Sequence, residues 1–146
     1  MILFSNGFFQ LEYDAPTDIL SVALPDMSLA GLSEARRCFD IMLEHVKNYH
    51  VRNLLLDSSG ASVQVSETEY NKLIYQVSMA LKQTRLKKVA RIVSSGPQLE
   101  EMAVRVQGQV LESPPSAYQI KNFTSREAAL QWLSRKASPP VAPSLH

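Results

Sequence analysis

Over residues 8–13, FFQLEY, polar and apolar side chains alternate, so that Phe9, Leu11 and Tyr13 share one face of a strand. The run that follows, Asp14-Ala15-Pro16-Thr17-Asp18, is a strong turn signal, and residues 19–24, ILSVAL, return as a second strand. An antiparallel hairpin is predicted, and Asn6-Gly7 adds a short strand ahead of it at residues 2–4. Beyond Ser33 the period changes. Ala35, Cys38, Phe39, Met42, Val46 and Tyr49 fall on one side of a helix over residues 34–49, with Ser33 as its cap. Residues 53–56 then form a continuous apolar run that ends at Asp57, the pattern of a strand covered by helix.

Strand and helix continue to alternate. Ser66-Glu67-Thr68-Glu69 is a capping box, in which the serine hydroxyl accepts from a first-turn amide while Glu69 reaches back to the Ser66 amide; Val65 and Tyr70 add an apolar staple. Tyr70, Leu73, Ile74, Val77 and Leu81 keep helical spacing until Lys87 and Lys88 precede a strand over residues 89–93. Pro97 suits the first turn of a third helix that carries Leu99, Met102, Ala103, Val106 and Val110 and stops at Ser113-Pro114-Pro115-Ser116. A last strand over residues 118–123 leads into a second capping box, Thr124-Ser125-Arg126-Glu127, and a helix holding Ala128, Ala129, Trp132 and Leu133. The order β-β-α-β-α-β-α-β-α predicts one α/β domain over residues 1–137. Its sheet is mixed and mostly parallel, with about five strands, antiparallel at the start, and four helices. Residues 138–146 hold three prolines and no periodicity, which predicts a disordered tail.

Composition narrows the partners. Of 146 residues, 45% are hydrophobic, enough for one buried core. Fifteen Lys and Arg against 14 Asp and Glu leave a net charge of +1, so no overall field draws the chain to nucleic acid or to an anionic membrane. No nucleic-acid partner is expected, and at most a peripheral membrane contact through a local patch. The single cysteine, Cys38, excludes an internal disulfide and fits a reducing compartment, the cytoplasm being the simplest. Met1-Ile2-Leu3-Phe4 has no basic n-region, and no apolar run approaches the roughly 18 residues of a spanning helix.

Residues with reactive chemistry are sparse. His45, His50 and His146 have no cysteine or carboxylate at ligand spacing, so neither metal nor cofactor is expected; His45, opposite the apolar stripe, and His50 read as surface residues. The five glycines never bracket a serine as in G-x-S-x-G, and neither phosphate-cradling glycine motif occurs, so no enzymatic activity is expected. Cys38 lies in the apolar stripe as a small buried hydrophobe. Asp57, with Ser58 beside it, stands at the carboxyl end of a strand, where open α/β sheets bind ligands; the competing reading is an Asx-type turn. Lys82, Arg85, Lys87 and Lys88 gather at one helix-to-strand junction, near Arg91, with Lys47 and Arg52 at an analogous one. They either complement a helix C-terminus or contact an anionic partner such as a lipid head group.

The order of elements, the strand NLLLD followed by a capped helix, and Asn122-Phe123-Thr124-Ser125-Arg126-Glu127-Ala128-Ala129-Leu130-Gln131-Trp132-Leu133 resemble the bacterial SpoIIAA-like proteins. That group is related to the STAS domain and, in fold, to CRAL-TRIO lipid-transfer domains. The resemblance spans residues 8–136 and implies a βα superhelix with helices mainly on one face and no enzymatic activity. In STAS anti-sigma-factor antagonists a switch serine opens the helix after this strand. Aligned by element, Asp57 matches an earlier strand-end aspartate and the switch falls at Ser66, so the literal Asp57-Ser58-Ser59-Gly60 lies about eight residues too early. Ser66 already has a role as helix cap, and Glu67 and Glu69 oppose a phosphate there.

The expected function is therefore a non-catalytic cytoplasmic interaction or regulatory module working through Asp57, Ser58, Ser66 and Glu67. The alternative is a carrier or sensor of a small hydrophobic or lipid-like ligand. Tyr75, Met79, Val104 and Leu111 either complete the core between helices or form a second apolar face for a homodimer.

Overall fold

The structure, a computed structural model, describes residues 2–5, 9–24, 27–59, 67–93 and 118–134, with backbone alone at 27–32, 34 and 67. Six strands are present among them: β1 Ile2–Ser5, β2 Gln10–Asp14, β3 Ile19–Ala23, β4 Asn53–Asp57, β5 Lys88–Ile92 and β6 Gln119–Phe123. Three helices are described, α1 Met27–Asn48, α2 Glu67–Leu81 and α3 Arg126–Ser134. The helix predicted over 99–110 and the tail 138–146 fall outside the described residues.

All six strands join one sheet in chain order, β1-β2-β3-β4-β5-β6. The first three are antiparallel and β3 to β6 run parallel. The sheet exceeds the expected five strands because Phe4 and Ser5 of β1 pair with Leu11 and Gln10, with an irregularity between Ile2 and Phe4. Sequential order means that each crossover steps one strand in the same direction, and right-handed crossovers then put their helices on the same face. Accordingly Ala35, Cys38, Met42 and Val46 of α1 and Tyr70, Leu73 and Val77 of α2 share one apolar cluster with Leu11, Leu20, Leu54 and Val89 of the sheet.

α3 follows β6, the last described strand, and no crossover to a further strand is described after it. It packs on the opposite face, where Ala129 and Leu133 meet Ile19, Leu55, Ala90 and Ile92. The described helices thus divide two and one between the faces. Covered on both sides, β4 and β5 are apolar at successive positions, whereas β2, away from the strands β4 to β6 that α3 packs on, exposes Glu12 and Asp14 on the α3 face.

Two helix starts differ from expectation. α1 begins at Met27, and Ser33 is an exposed residue within it rather than its cap. Asp26, a preferred capping residue type, stands immediately before Met27 in the sequence, while Gly31 breaks the apolar pattern that would extend the stripe backwards. α3 is capped by Ser125 rather than Thr124, since the Ala128 amide donates to Ser125 Oγ at 3.3 Å.

Tyr118, buried just before β6, donates its hydroxyl to the Ser78 carbonyl at 2.9 Å and ties β6 to α2. Burial pushes its phenol from 10 up to about 12, with the Ser78 side chain acting in the opposite sense. The native state therefore keeps this proton where the unfolded chain releases it, so stability is full below pH 10 and falls as pH rises towards 12. The slope from this group is at most about 1.4 kcal/mol per pH unit. Urea unfolding of Tyr118→Phe is expected to show a shallower alkaline loss than the parent chain; equal slopes would contradict this origin.

Candidate functional site

The parallel strands deliver Ala23, Asp57, Ile92 and Phe123 to one edge in register. The chain leaves the sheet in step, with the amides of Leu24, Ser58 and Val93 donating to the carbonyls of Asp57, Ile92 and Phe123 at 3.0, 3.0 and 2.9 Å. Strand alternation puts the Asp57 side chain on the α3 face. Its Oδ1 accepts from the Ser59 amide at 3.0 Å and from the Ser59 hydroxyl at 2.6 Å, an Asx turn that carries the chain out of β4. Its Oδ2 lies 3.8 Å from Arg126 Nη1. A cation in the first turn of α3 opposes the helix dipole, and the Asp57 carboxylate offsets that cost. Asp57 thus holds the loop after β4 and the start of α3 together.

Ser58 has the opposite orientation, towards the α1 and α2 face, and is only 1% exposed. Its Oγ has no hydrogen-bond partner among the described residues. Arg91, grouped by sequence with the basic cluster, is separated from it by the fold. It is buried in β5 on the same face, in register with Leu56. Of the four expected interaction residues, Asp57 and Ser58 stand together at the strand end. Glu67 opens α2 with its side chain undescribed, and Ser66 lies outside the described residues. Thr68 and Glu69, next along α2, are exposed.

Lys82, Arg85 and Lys87 lie at the other end of the sheet, between α2 and β5, and Lys88 opens β5. Lys88 is not part of an open patch. Its Nζ donates to the Trp132 carbonyl near the end of α3 at 3.1 Å and sits 5.3 Å from the Trp132 ring centre. Lys82 is half-buried, while Arg85 and Lys87 are exposed. The last turn of α2 contains no basic residue. Its final carbonyls accept instead from the amides of Lys82, Gln83 and Thr84 and from the Thr84 hydroxyl. Helix termination therefore accounts for Lys47, in the last turn of α1, but not for Arg85 and Lys87.

At the same amino edge the structure assembles residues that the sequence reading did not connect. Tyr13 donates its hydroxyl to Asp18 Oδ1 at 2.9 Å, and Asp18 Oδ2 accepts from the Arg52 Nε at 3.2 Å and its amide at 3.3 Å. Partial burial, followed by the Asp18 hydrogen bond and charge, raises the Tyr13 phenol above its ordinary range. Tyr49, expected in the core stripe, is 45% exposed and stacks on Tyr13 at 5.6 Å. His45, expected at the surface, is half-buried, tilted on Tyr49 at 5.8 Å, and its Nδ1 is enclosed with no partner among the described residues. His50 is exposed, as expected. The four-residue spacing of His45 and Tyr49 was a legible signal, whereas the meeting of the hairpin turn with the α1–β4 connection is a tertiary fact. Among the described residues no group of three His, Cys, Asp or Glu could hold a metal ion, and no helix is long and apolar enough to cross a membrane.

These contacts predict unequal costs at the carboxyl edge. Asp57→Ala should lower stability by about 1 to 2 kcal/mol, and Asp57→Asn by less, because the amide oxygen still accepts from Ser59. Ser58→Ala should leave stability unchanged or raise it, since it removes a buried hydroxyl with no partner among the described residues. Urea midpoints of the three variants check this ordering, and a loss for Ser58→Ala larger than that for Asp57→Ala would overturn it. Comparison of the chain with protein-family models, with curated proteins and with solved structures finds no match.

Proposed function

We propose that the chain is a non-catalytic, cytoplasmic interaction or regulatory module of the STAS-like class, receiving a protein partner on the carboxyl edge of its sheet. The observation that carries this reading is the engagement of Asp57 by Ser59 and Arg126. A general base or nucleophile has to turn a lone pair to its substrate, whereas a docking surface needs polar groups held in place. Around Asp57 the exposed rim carries Ser59, Thr68, Glu69, Arg126 and Glu127, with charges of both signs. The sequential strand order, with α1 and α2 on one face, supports the SpoIIAA-like superhelix as the finer description. Ser66, immediately ahead of α2 in the sequence, is the residue of this surface that the resemblance marks for phosphorylation.

Affinity capture of the chain from the cells that produce it, with native mass measurement in parallel, tests the reading. A stoichiometric protein partner is expected, released by Glu69→Arg and Glu127→Arg and retained by Lys87→Glu at the opposite edge. A co-purified lipid mass would favour a carrier instead, and a partner retained by both carboxyl-edge variants would contradict the proposed surface.

A further inference from the structure

The amino edge of the parallel sheet gathers side chains that the carboxyl-edge module does not use. Three connections meet there, β2–β3, α1–β4 and α2–β5. They are joined by the Asp18–Arg52 pair and by the amides of Lys87 and Lys88, which both donate to the Arg52 carbonyl, at 2.8 and 3.0 Å. Asp18 and His50 in these turns hold left-handed φ values of 54° and 51°, a conformation that costs a non-glycine residue roughly 1 kcal/mol or more. The contacts of Asp18 with Tyr13 and Arg52 help to hold its turn.

Two properties of this edge point to a ligand class. The first is an aromatic platform. Tyr49 rests against Tyr13 and His45 yet is 45% exposed, so its ring is positioned before any ligand arrives. The second is a row of cations on adjacent connections. Lys47, Arg52, Arg85 and Lys87 are exposed, and among the described residues no acid pairs with Lys47, Arg85 or Lys87. Of the Arg52 guanidinium, Asp18 engages Nε, and the Arg52 side chain is 68% exposed. Among the described residues, with Lys82 and Lys88, six cations stand against Asp14, Asp18, Glu44 and three helix C-termini of about half a charge each, which leaves this edge positive although the whole chain is nearly neutral.

We infer that this edge binds single-stranded nucleic acid, with a base stacked on Tyr49 and the phosphate backbone following Arg52, Lys87 and Arg85. Arg52 and Lys87 directly precede the paired strands β4 and β5, whose backbones lie about 4.8 Å apart, and Arg85 stands two residues before Lys87, so the three cations follow one another along the edge, which suits a linear polyanion. A membrane-binding face would also need apolar side chains to insert. Of the three large apolar residues described as exposed, Ile2 pairs with Glu12 on the edge strand and Tyr75 lies within α2, leaving only Tyr49 here. The near-zero net charge argues against attraction by the whole surface but does not bear on a segregated edge.

Fluorescence anisotropy of a labelled oligothymidylate of about twelve nucleotides, titrated across a range of salt concentrations, tests the inference. Substituting Arg85→Gln and Lys87→Gln together should weaken binding and make the slope of log Kd against log salt shallower by about 1.4, the share of two phosphate contacts. Tyr49→Ala should lose about tenfold in affinity with the slope unchanged, and Tyr49→Phe should retain it. Thermal melts establish that each variant is folded, and the glutamine pair and Tyr49→Phe stay informative if Tyr49→Ala unfolds. Absence of binding at low salt would overturn the inference, as would indifference to the glutamine pair. So would equal affinity for a heparin fragment, which offers charge without bases, or retention on phosphatidylserine vesicles without oligonucleotide binding.

Discussion

Leu54 and Leu55 are neighbours in β4 and both are fully buried, and Val89 and Ala90 repeat this in β5, so the two central parallel strands require an apolar layer on each face. Sequential right-handed crossovers supply one layer through α1 and α2. They cannot supply the other. α3, after which no further strand is described, covers that face with Ala129 and Leu133. Its placement has consequences at both ends of the sheet, because Arg126 near its start reaches Asp57 and Lys88 donates to the Trp132 carbonyl near its end. One short helix thus braces the carboxyl edge and the amino edge together.

The two edges differ in chemistry for a related reason. Parallel strands with antiparallel helices collect helix N-termini at the carboxyl edge and helix C-termini at the amino edge. Acidic side chains suit the former, as Glu69 and Glu127 illustrate, and basic ones suit the latter, as Lys47 does. Asp57 and Ser58 are adjacent in sequence yet meet opposite conditions, one tied into a turn and an ion pair, the other buried on the helix-covered face. Arg85 and Lys87 exceed what helix termination needs, and with the Tyr49 platform they give the amino edge a chemistry of its own.

The alternation of periods two and 3.6 carried the element order, because each strand and helix buries a face set by its own local geometry. Asp57 as an Asx-turn residue was also legible, since aspartate at a strand end followed by two serines and a glycine favours that turn. The start of α1 was misplaced because Gly31 interrupts the stripe and Ser33 mimics a cap. Tyr49 satisfies the helical spacing of the core but lies past the end of α1, where the stripe no longer faces the sheet. The bonds of Asp18 to Arg52 and of Lys88 to Trp132 span 34 and 44 residues, and no local pattern encodes such pairings. The opposite-face position of α3 follows from double burial of β4 and β5, which the unbroken run Leu54-Leu55-Leu56 already hinted at.

That α3 forms a true second layer is the claim on which both edges depend, and Leu133, 1% exposed, is its deepest large side chain. Equilibrium urea unfolding of Leu133→Ala tests it most directly. A loss of about 2 to 4 kcal/mol with an unchanged denaturant slope is expected, as for a leucine truncated in a packed core. A loss below about 0.5 kcal/mol, the range of surface substitutions, would contradict it.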